Sequence, residues 1–314
     1  MLRRRQQGVA LIIAMLVAAL ATMLAASMAF DIHLDLRRAE SLLVNTHARQ
    51  YALGAESWAA LILDEDFRDQ SIEQDSFDEN WAIPIAGLEI EGGLLGGQVE
   101  DLQGRFNLNN LIDSTGTIDQ DAVEQFGRLL EALDLDPRLS TLVADWIDAD
   151  QDPAFPDGAE DLTYTVMDRP YRTADHYITN TSELMAVQGI DLEIYAILRP
   201  HVSALPVGTS INLNTATAPV LESIDSNIDV DKIIEFQCDN GFSSVTEAED
   251  VLGLQLNGVS VSSSYFGAQI QVAIGTYQLN LYSLLARDPG GETQSMLRRY
   301  GVQGAYAEQP CNQT

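Results

Sequence analysis

The first part of the chain reads as one long helix with two differently patterned halves. Residues 9–30 are apolar and contain no charge, proline or glycine. At about 1.5 Å per residue, such a helix spans the hydrocarbon core of a bilayer. From residue 31 to residue 63 apolar positions continue at helical spacing, with charged residues between them. We expect this second half to pack an apolar stripe on a folded body and to turn its polar side, including Glu56, toward solvent.

Strand-like segments flank a long helical region in the rest of the chain. Alternating apolar positions predict short strands at 81–85 and 88–94, broken by Pro84 and Gly87, and another at 94–101. The same pattern returns at 265–273, 277–286 and 293–300. The intervening chain is patterned as short helices, of which the first spans 120–133 with Asp119 as its N-cap and the second spans 142–147. The pattern predicts an α+β fold in which one antiparallel sheet packs on the long helix and is interrupted by a large all-helical insertion.

A short motif occurs twice within the helical region. Residues 106–111 read Phe-Asn-Leu-Asn-Asn-Leu and residues 211–216 read Ile-Asn-Leu-Asn-Thr-Ala. In each copy we expect asparagine side chains to cap the helical turn that follows. The region resembles two SAM-like or helix-hairpin-helix units, about 105–205 and 206–262. Such units bind DNA backbone elsewhere, but the second unit here is acidic, which argues against DNA.

Charge and cysteine content restrict the function further. The chain has 17 basic and 47 acidic residues, a formal net charge of −30, which excludes nucleic acid and anionic lipid surfaces as partners of the body. The four histidines have no zinc-ligand spacing, and no nucleophile elbow or phosphate loop is present. We therefore predict a protein that is not an enzyme. In an oxidising compartment Cys238 and Cys311 are expected to pair; two isolated thiols are the alternative.

An acidic, turn-rich tract follows the predicted helix that ends near residue 147. Three carboxylates alternate along its start, and further carboxylates follow within a stretch rich in proline and glycine. Hard cations such as Ca²⁺ take six to eight oxygen ligands, which such a tract can supply. It is not an EF-hand, and a solvated acidic loop is the alternative. The predicted ligands are Asp148, Asp150, Asp152, Glu160, Asp161 and Asp175.

The N-terminal eight residues, Met-Leu-Arg-Arg-Arg-Gln-Gln-Gly, allow three interpretations. The segment could belong to a cleaved secretory signal or to an uncleaved anchor, or it could be a prepilin leader cut between Gly8 and Val9. The apolar run is longer than a usual signal core, and a basic leader ending in glycine favours the prepilin leader. By the positive-inside rule the basic end is cytoplasmic and the remainder lies across the membrane.

The leader, the long helix and the small sheet together resemble the type IV pilin fold. The start Arg-Gln-Gln-Gly-Val-Ala-Leu-Ile, the helical insertion, and the Asp-Trp-Ile-Asp-Ala-Asp tract at 145–150 narrow the resemblance to the protein K family of type II secretion minor pseudopilins. This resemblance covers the full length. It implies a leader at 1–8, a membrane half-helix at 9–30, pilin-like segments at 31–104 and 263–314, and a helical insertion at 105–262.

The resemblance also implies a role and a set of partners. Prepilin peptidase is expected to cleave after Gly8 and methylate Val9, leaving the body in the periplasm on an inner-membrane anchor. Most pilins carry glutamate where this chain has Ile13, and the family places its members at the pseudopilus tip with other minor pseudopilins. Contact with exported substrate or the outer-membrane channel is implied, as are calcium sites in the helical region. A minor pilin of a type IV pilus is the alternative.

Overall fold

The computed structural model describes residues 6–69 and 74–301 of the chain. Helix α1 extends from Gln6 to Asp69, which confirms the predicted long helix and lengthens it at both ends. Its apolar N-terminal half touches no other part of the fold, whereas Ala48, Ala52 and Leu63 in its second half are fully buried. Leu36 and Leu43 stay exposed, so the helix docks on the body from about residue 44 onward.

The described chain contains nine strands and seven further α-helices. The strands are β1 Ile85–Ile90, β2 Gly93–Asp101, β3 Phe106–Asn107, β4 Val202–Ser203, β5 Ile211–Asn212, β6 Val259–Ser260, β7 Tyr265–Ile274, β8 Tyr277–Arg287 and β9 Thr293–Tyr300. The helices are α2 Gln120–Ala132, α3 Leu139–Ile147, α4 Asp161–Tyr164, α5 Leu192–Leu198, α6 Ala218–Ile224, α7 Val230–Gln237 and α8 Val245–Leu252.

Five strands form one antiparallel sheet in the order β1-β2-β7-β8-β9. Strands β2 and β7 pair along their whole lengths, from Gly93 opposite Ile274 to Asp101 opposite Phe266. The helical region, residues 102–264, therefore leaves the sheet at the end of one strand and returns at the start of its neighbour. This confirms the predicted strands at the C-terminal end and their hairpin at Gly275.

Two regions of the chain have separate hydrophobic cores. Small residues of α1 lie against the apolar face of the sheet, where Trp81 meets Phe266 edge-on with ring centroids 5.4 Å apart. The helical region has its own core, which includes the stacked pair Phe106 and Phe126 at 5.1 Å. The helical region and the helix-and-sheet region thus each pack around their own buried residues.

Strand β8 carries polar residues on its buried face, and this corrects the prediction for Glu56. Alternate residues of β8 face α1, among them Ser283 and Arg287. Glu56 is 3% exposed and accepts hydrogen bonds from Ser283 and from the guanidinium of Arg298 on β9. The expectation of a solvent-facing Glu56 was wrong, because position 56 lies four residues after Ala52 and three before Ala59, on the buried stripe itself.

The two copies of the asparagine motif adopt the same hydrogen-bonding pattern. Asn109 receives the N–H of Ile178 and donates to the carbonyls of Ile178 and Leu205. Asn214 receives the N–H of Phe242 and donates to the carbonyls of Phe242 and Val261. Each copy begins in a two-residue parallel bridge. The buried asparagines therefore satisfy backbone groups of distant loops, beyond capping the turn that follows them.

Two predicted boundaries differ from the structure. The first predicted strand, at residues 81–85, is a 3₁₀ turn from Asn80 to Ala82, and β1 begins only at Ile85. Gly87 lies within β1 at a register shift with a positive φ of 72°, so a residue expected to end a strand instead forms a bulge. Helix α3 begins at Leu139, earlier than the predicted start at residue 142.

Candidate metal centre

The end of α3 places two carboxylates side by side. Asp145 lies in the last turn of α3 and Asp148 is its C-cap residue, so the three-residue spacing sets both on one face of the helix. Asp145 is completely buried and Asp148 is 2% exposed. Because the helix ends at Ile147 with the backbone of Asp148 extended, the Asp148 side chain lies at the start of the acidic loop.

The loop between α3 and α4 brings Glu160 to the same point. Glu160 is the N-cap residue of α4 and is 1% exposed. One carboxylate oxygen from each of Asp145, Asp148 and Glu160 lies within 4.8 Å of the other two. No hydrogen-bond donor reaches Asp148 Oδ1 or either carboxylate oxygen of Glu160 within the described residues. Three buried carboxylates, of which Asp148 and Glu160 have unsatisfied oxygens, form a cradle that requires a cation or protons to balance its charge.

Glycine is required where the loop closes over Asp145. The backbone N–H of Ala154 donates to Asp145 at 3.1 Å, and the N–H of Gly158 donates to the carbonyl of Ala154. A Cβ on Gly158 would lie 2.1 Å from Asp145 Oδ2 and 2.4 Å from the Ala154 nitrogen. The loop backbone therefore approaches the carboxylate more closely than any side chain would allow.

Burial and mutual repulsion control protonation in this cradle. Desolvation raises the pKa of Asp148 to about 7, with further contributions from the charges of Asp145, Asp150 and Asp175. Desolvation and the neighbouring carboxylates raise the pKa of Glu160 to about 8. A divalent cation would offset the repulsion that adds to the effect of desolvation on these pKa values. The all-oxygen donor set is the one that Ca²⁺ prefers over softer metals.

The other predicted ligands take different positions. Asp150 and Asp175 are exposed at the rim, close enough for their charges to act on Asp148 and Glu160. Asp152 is exposed, and its N–H donates to Asp150 Oδ1 at 2.8 Å. Asp161 points instead to the loop beyond α4, where it accepts hydrogen bonds from the N–H and hydroxyl of Thr173.

Asp145 is the residue that sequence reasoning missed as a candidate ligand. It was noted only as part of a tract shared with a family. The signal that identifies it is its spacing from Asp148, since two acids three residues apart on a buried helix end face the same side. Glu160 was predicted, and the structure brings it to Asp148, while Asp152 and Asp161 are not part of the three-carboxylate group.

The predicted processing residues lie on α1, and Cys238 of the predicted cysteine pair lies in the helical region. Val9 and Ile13 are exposed on α1, at 58% and 57%. Within the described part of the chain, one helix is long and apolar enough to cross a membrane, Val9–Arg68, with a mean hydropathy of 2.7 in its most apolar window. Cys238 ends α7, and the described chain has no free cysteine. Cys311 lies outside the described residues, so the disulfide stays a prediction.

Comparison with known proteins relates this chain to one family. Two family models described as type II secretion system protein K match residues 104–207 and 211–269. Protein K of Pseudomonas aeruginosa is 35% identical, over 96% of this chain and 95% of its own length. Protein K of Pectobacterium carotovorum is 33% identical, over 96% and 98%. A structure from the GspK–GspI–GspJ complex of enterotoxigenic Escherichia coli aligns with a TM-score of 0.72 at 23% identity, over 85% of this chain and all of that one.

The fold and these relatives define a minor pseudopilin of type II secretion. More specifically, the chain belongs to the protein K family of the type II secretion system. The resemblance inferred from the N-terminal segment and the helical region is therefore confirmed. The alternative of a minor pilin from a type IV pilus gains no support from any of these relatives.

Proposed function

We propose that this chain caps and nucleates the tip of the pseudopilus, and that its fold is a type IV pilin-like fold with an inserted SAM-like helical domain. The observation that carries the proposal is the exit and return of residues 102–264 between the adjacent strands β2 and β7. This adds a second folded body to a helix-and-sheet unit. Such an addition can be accommodated once at an end, but it would crowd a thin fibre if every subunit carried it.

The membrane half of α1 supports the same position. Residues 9–30 contain no carboxylate, and Ile13 stands where most pilins have glutamate. In pilins that glutamate is thought to pair with the terminal amine of a neighbouring subunit, since an unpaired charge in lipid is costly. A subunit without it cannot make this contact, and a cap does not need it. The role is structural, and no step of catalysis is assigned.

Helix α1 also supports a membrane orientation and a set of interaction partners. The basic N-terminal residues lie on the cytoplasmic side, α1 crosses the inner membrane, and the body lies in the periplasm. Prepilin peptidase cleaves between Gly8 and Val9 and methylates the new amine. Other minor pseudopilins pack beside the exposed apolar face of α1, in line with the three-protein complex that contains the structural relative. The tip would then meet exported substrate or the outer-membrane channel.

The cradle in the helical region would hold Ca²⁺ through Asp145, Asp148 and Glu160, with Asp150 and Asp175 at the rim. What supports this is the set of unsatisfied buried oxygens on Asp148 and Glu160. A bound cation would balance their charge and tie the end of α3 to the start of α4. The bound ion would order the loop between α3 and α4. The carboxylate ligands would make the site selective for a hard cation.

Position along the pseudopilus tests the tip assignment. We expect gold-labelled wild-type protein to occur at fibre ends, and Ile13→Glu to appear also along the shaft, because the carboxylate restores the pairing group. Ile13→Leu is the matched control and should stay at the ends. Wild-type labelling distributed along the shaft, or an Ile13→Glu variant that behaves like Ile13→Leu, would contradict the respective parts of the proposal.

A further inference from the structure

A second group of carboxylates lies far from the cradle in sequence, where α1 meets the sheet and the helical region. Asp66 stands near the C-terminal end of α1, and Asp75 and Glu79 precede the turn that begins at Asn80. One oxygen from each of the three lies within 4.8 Å of the other two. Asp75 is fully buried, while Asp66 and Glu79 are partly buried.

Asp75 connects three parts of the fold. Its backbone N–H donates to the carbonyl of Val261 at 2.9 Å, and its carbonyl accepts from Asn212 at 3.0 Å, both in the helical region. Its Oδ2 accepts the N–H of Ser263 at 2.6 Å and is paired with Arg287 on β8. The other oxygen, Asp75 Oδ1, is buried and has no hydrogen-bond partner among residues 6–69 and 74–301.

Asp75 faces charged groups of both signs at this junction. Arg287 pairs with Asp75 and also donates to the carbonyl of Ser263, and its guanidinium lies over the ring of Phe67 at 5.1 Å. Asp101, also buried, acts on Asp75 with a further negative charge. A buried oxygen without a donor beside two further carboxylates is an incomplete coordination site.

We propose that Asp66, Asp75 and Glu79 form a second calcium site, which fastens the end of α1 to the junction of the sheet and the helical region. The donors are all carboxylate oxygens from two separate segments, which suits the flexible, oxygen-only coordination of Ca²⁺. No histidine or cysteine belongs to the group, so softer metals are disfavoured. This site is independent of the cradle at Asp148, because the two groups share no residue.

Calcium stoichiometry tests the site directly. The full chain in detergent micelles is titrated with Ca²⁺ by calorimetry, as wild type and as the double variant Asp66→Asn, Glu79→Gln. We expect the double variant to bind one ion fewer per chain. Glu65→Gln is the matched control, since Glu65 is the exposed neighbour of Asp66 and lies outside the group. It should bind as many ions as wild type.

Two further variants keep the result interpretable. Asp66→Asn alone changes only a partly buried helix residue, and it should lose the same ion if the double variant fails to fold. Asp148→Asn should lose a different ion and keep this one, which separates failure of this site from failure of the cradle. Equal stoichiometry in wild type, Asp66→Asn and Glu65→Gln would overturn the proposal, as would an Asp148→Asn chain that binds no calcium.

Discussion

The buried ion pair between α1 and β9 allows a sharp test of how the helix is held on the sheet. The Arg298 guanidinium donates to both oxygens of Glu56 at 2.6–2.9 Å, and Ser283 donates to the same carboxylate. The Glu56 side chain is 5% exposed and that of Arg298 is 48% exposed. Arg298→Ala would leave Glu56 buried with hydroxyl donors alone. Removing one partner of a buried pair costs about 3–5 kcal/mol, and the half-exposed arginine places the expected loss near 3 kcal/mol.

Arg138→Ala is the matched control. Arg138 also lies 2.6 Å from a carboxylate, that of Asp136, but the two side chains are 66% and 44% exposed. Exposed pairs contribute about 0.2–1 kcal/mol. The free energy of unfolding is measured by urea titration of the full chain in detergent, followed by tryptophan fluorescence. A loss for Arg298→Ala no larger than that for Arg138→Ala would refute the reasoning that burial makes this pair important.

The same pair predicts a pH dependence. Burial alone would raise the pKa of Glu56, but hydrogen bonds from Arg298 and Ser283 outweigh it and lower the pKa from its usual 4.5. A carboxyl with a lowered pKa in the folded state adds stability above its unfolded pKa and loses it as the pH falls through the folded value. The difference in unfolding free energy between wild type and Glu56→Gln should therefore be full at neutral pH and shrink below pH 4.5.

Three further outcomes are expected. Asn214→Ala should destabilise the helical region by about 2–3 kcal/mol in urea titrations, because the buried N–H of Phe242 and two carbonyls lose their hydrogen-bond partner. A loss of unfolding free energy smaller than that of the exposed control Asn227→Ala would contradict this. Gly158→Ala should lower the unfolding free energy by about 1–3 kcal/mol through the clash with Asp145 and Ala154, and an unchanged value would show that the loop is not closed there. Calcium at about 100 times the Kd of the cradle should stabilise wild type by about 2.7 kcal/mol over chelator through that site alone. Asp148→Asn should lose this gain, and an equal gain in the variant would argue against the cradle.

Sequence patterns predicted the helices and strands whose formation depends on residues close together in the chain. The apolar run and uninterrupted helical spacing predicted α1, and alternation with a glycine turn predicted the hairpin of β7 and β8. The two asparagine motifs were visible as a repeat. Their partners were not, because Asn109 bonds a backbone group 69 residues away and Asn214 one 47 residues away. Such contacts exist only after folding.

The misplaced residues have a common physical cause. Glu56 was assigned to solvent because it carries charge, and Asp145 was not considered as a ligand, whereas each is buried against a partner that only the fold brings close. Glu56 sits on the apolar stripe opposite Arg298, and Asp145 receives backbone N–H groups from a loop closed at Gly158. The group at Asp66, Asp75 and Glu79 was not predicted at all, since it depends on how two segments meet around β8.

The most direct test of the central claim is the mass of the mature chain purified from the envelope of secreting cells. An assembly subunit that keeps its apolar helix should begin at Val9 with a methylated amine. A chain that begins at Met1 would be an unprocessed anchor. A chain cut after residues 27–29 would be a released periplasmic protein, and either result would contradict a pseudopilus-tip role.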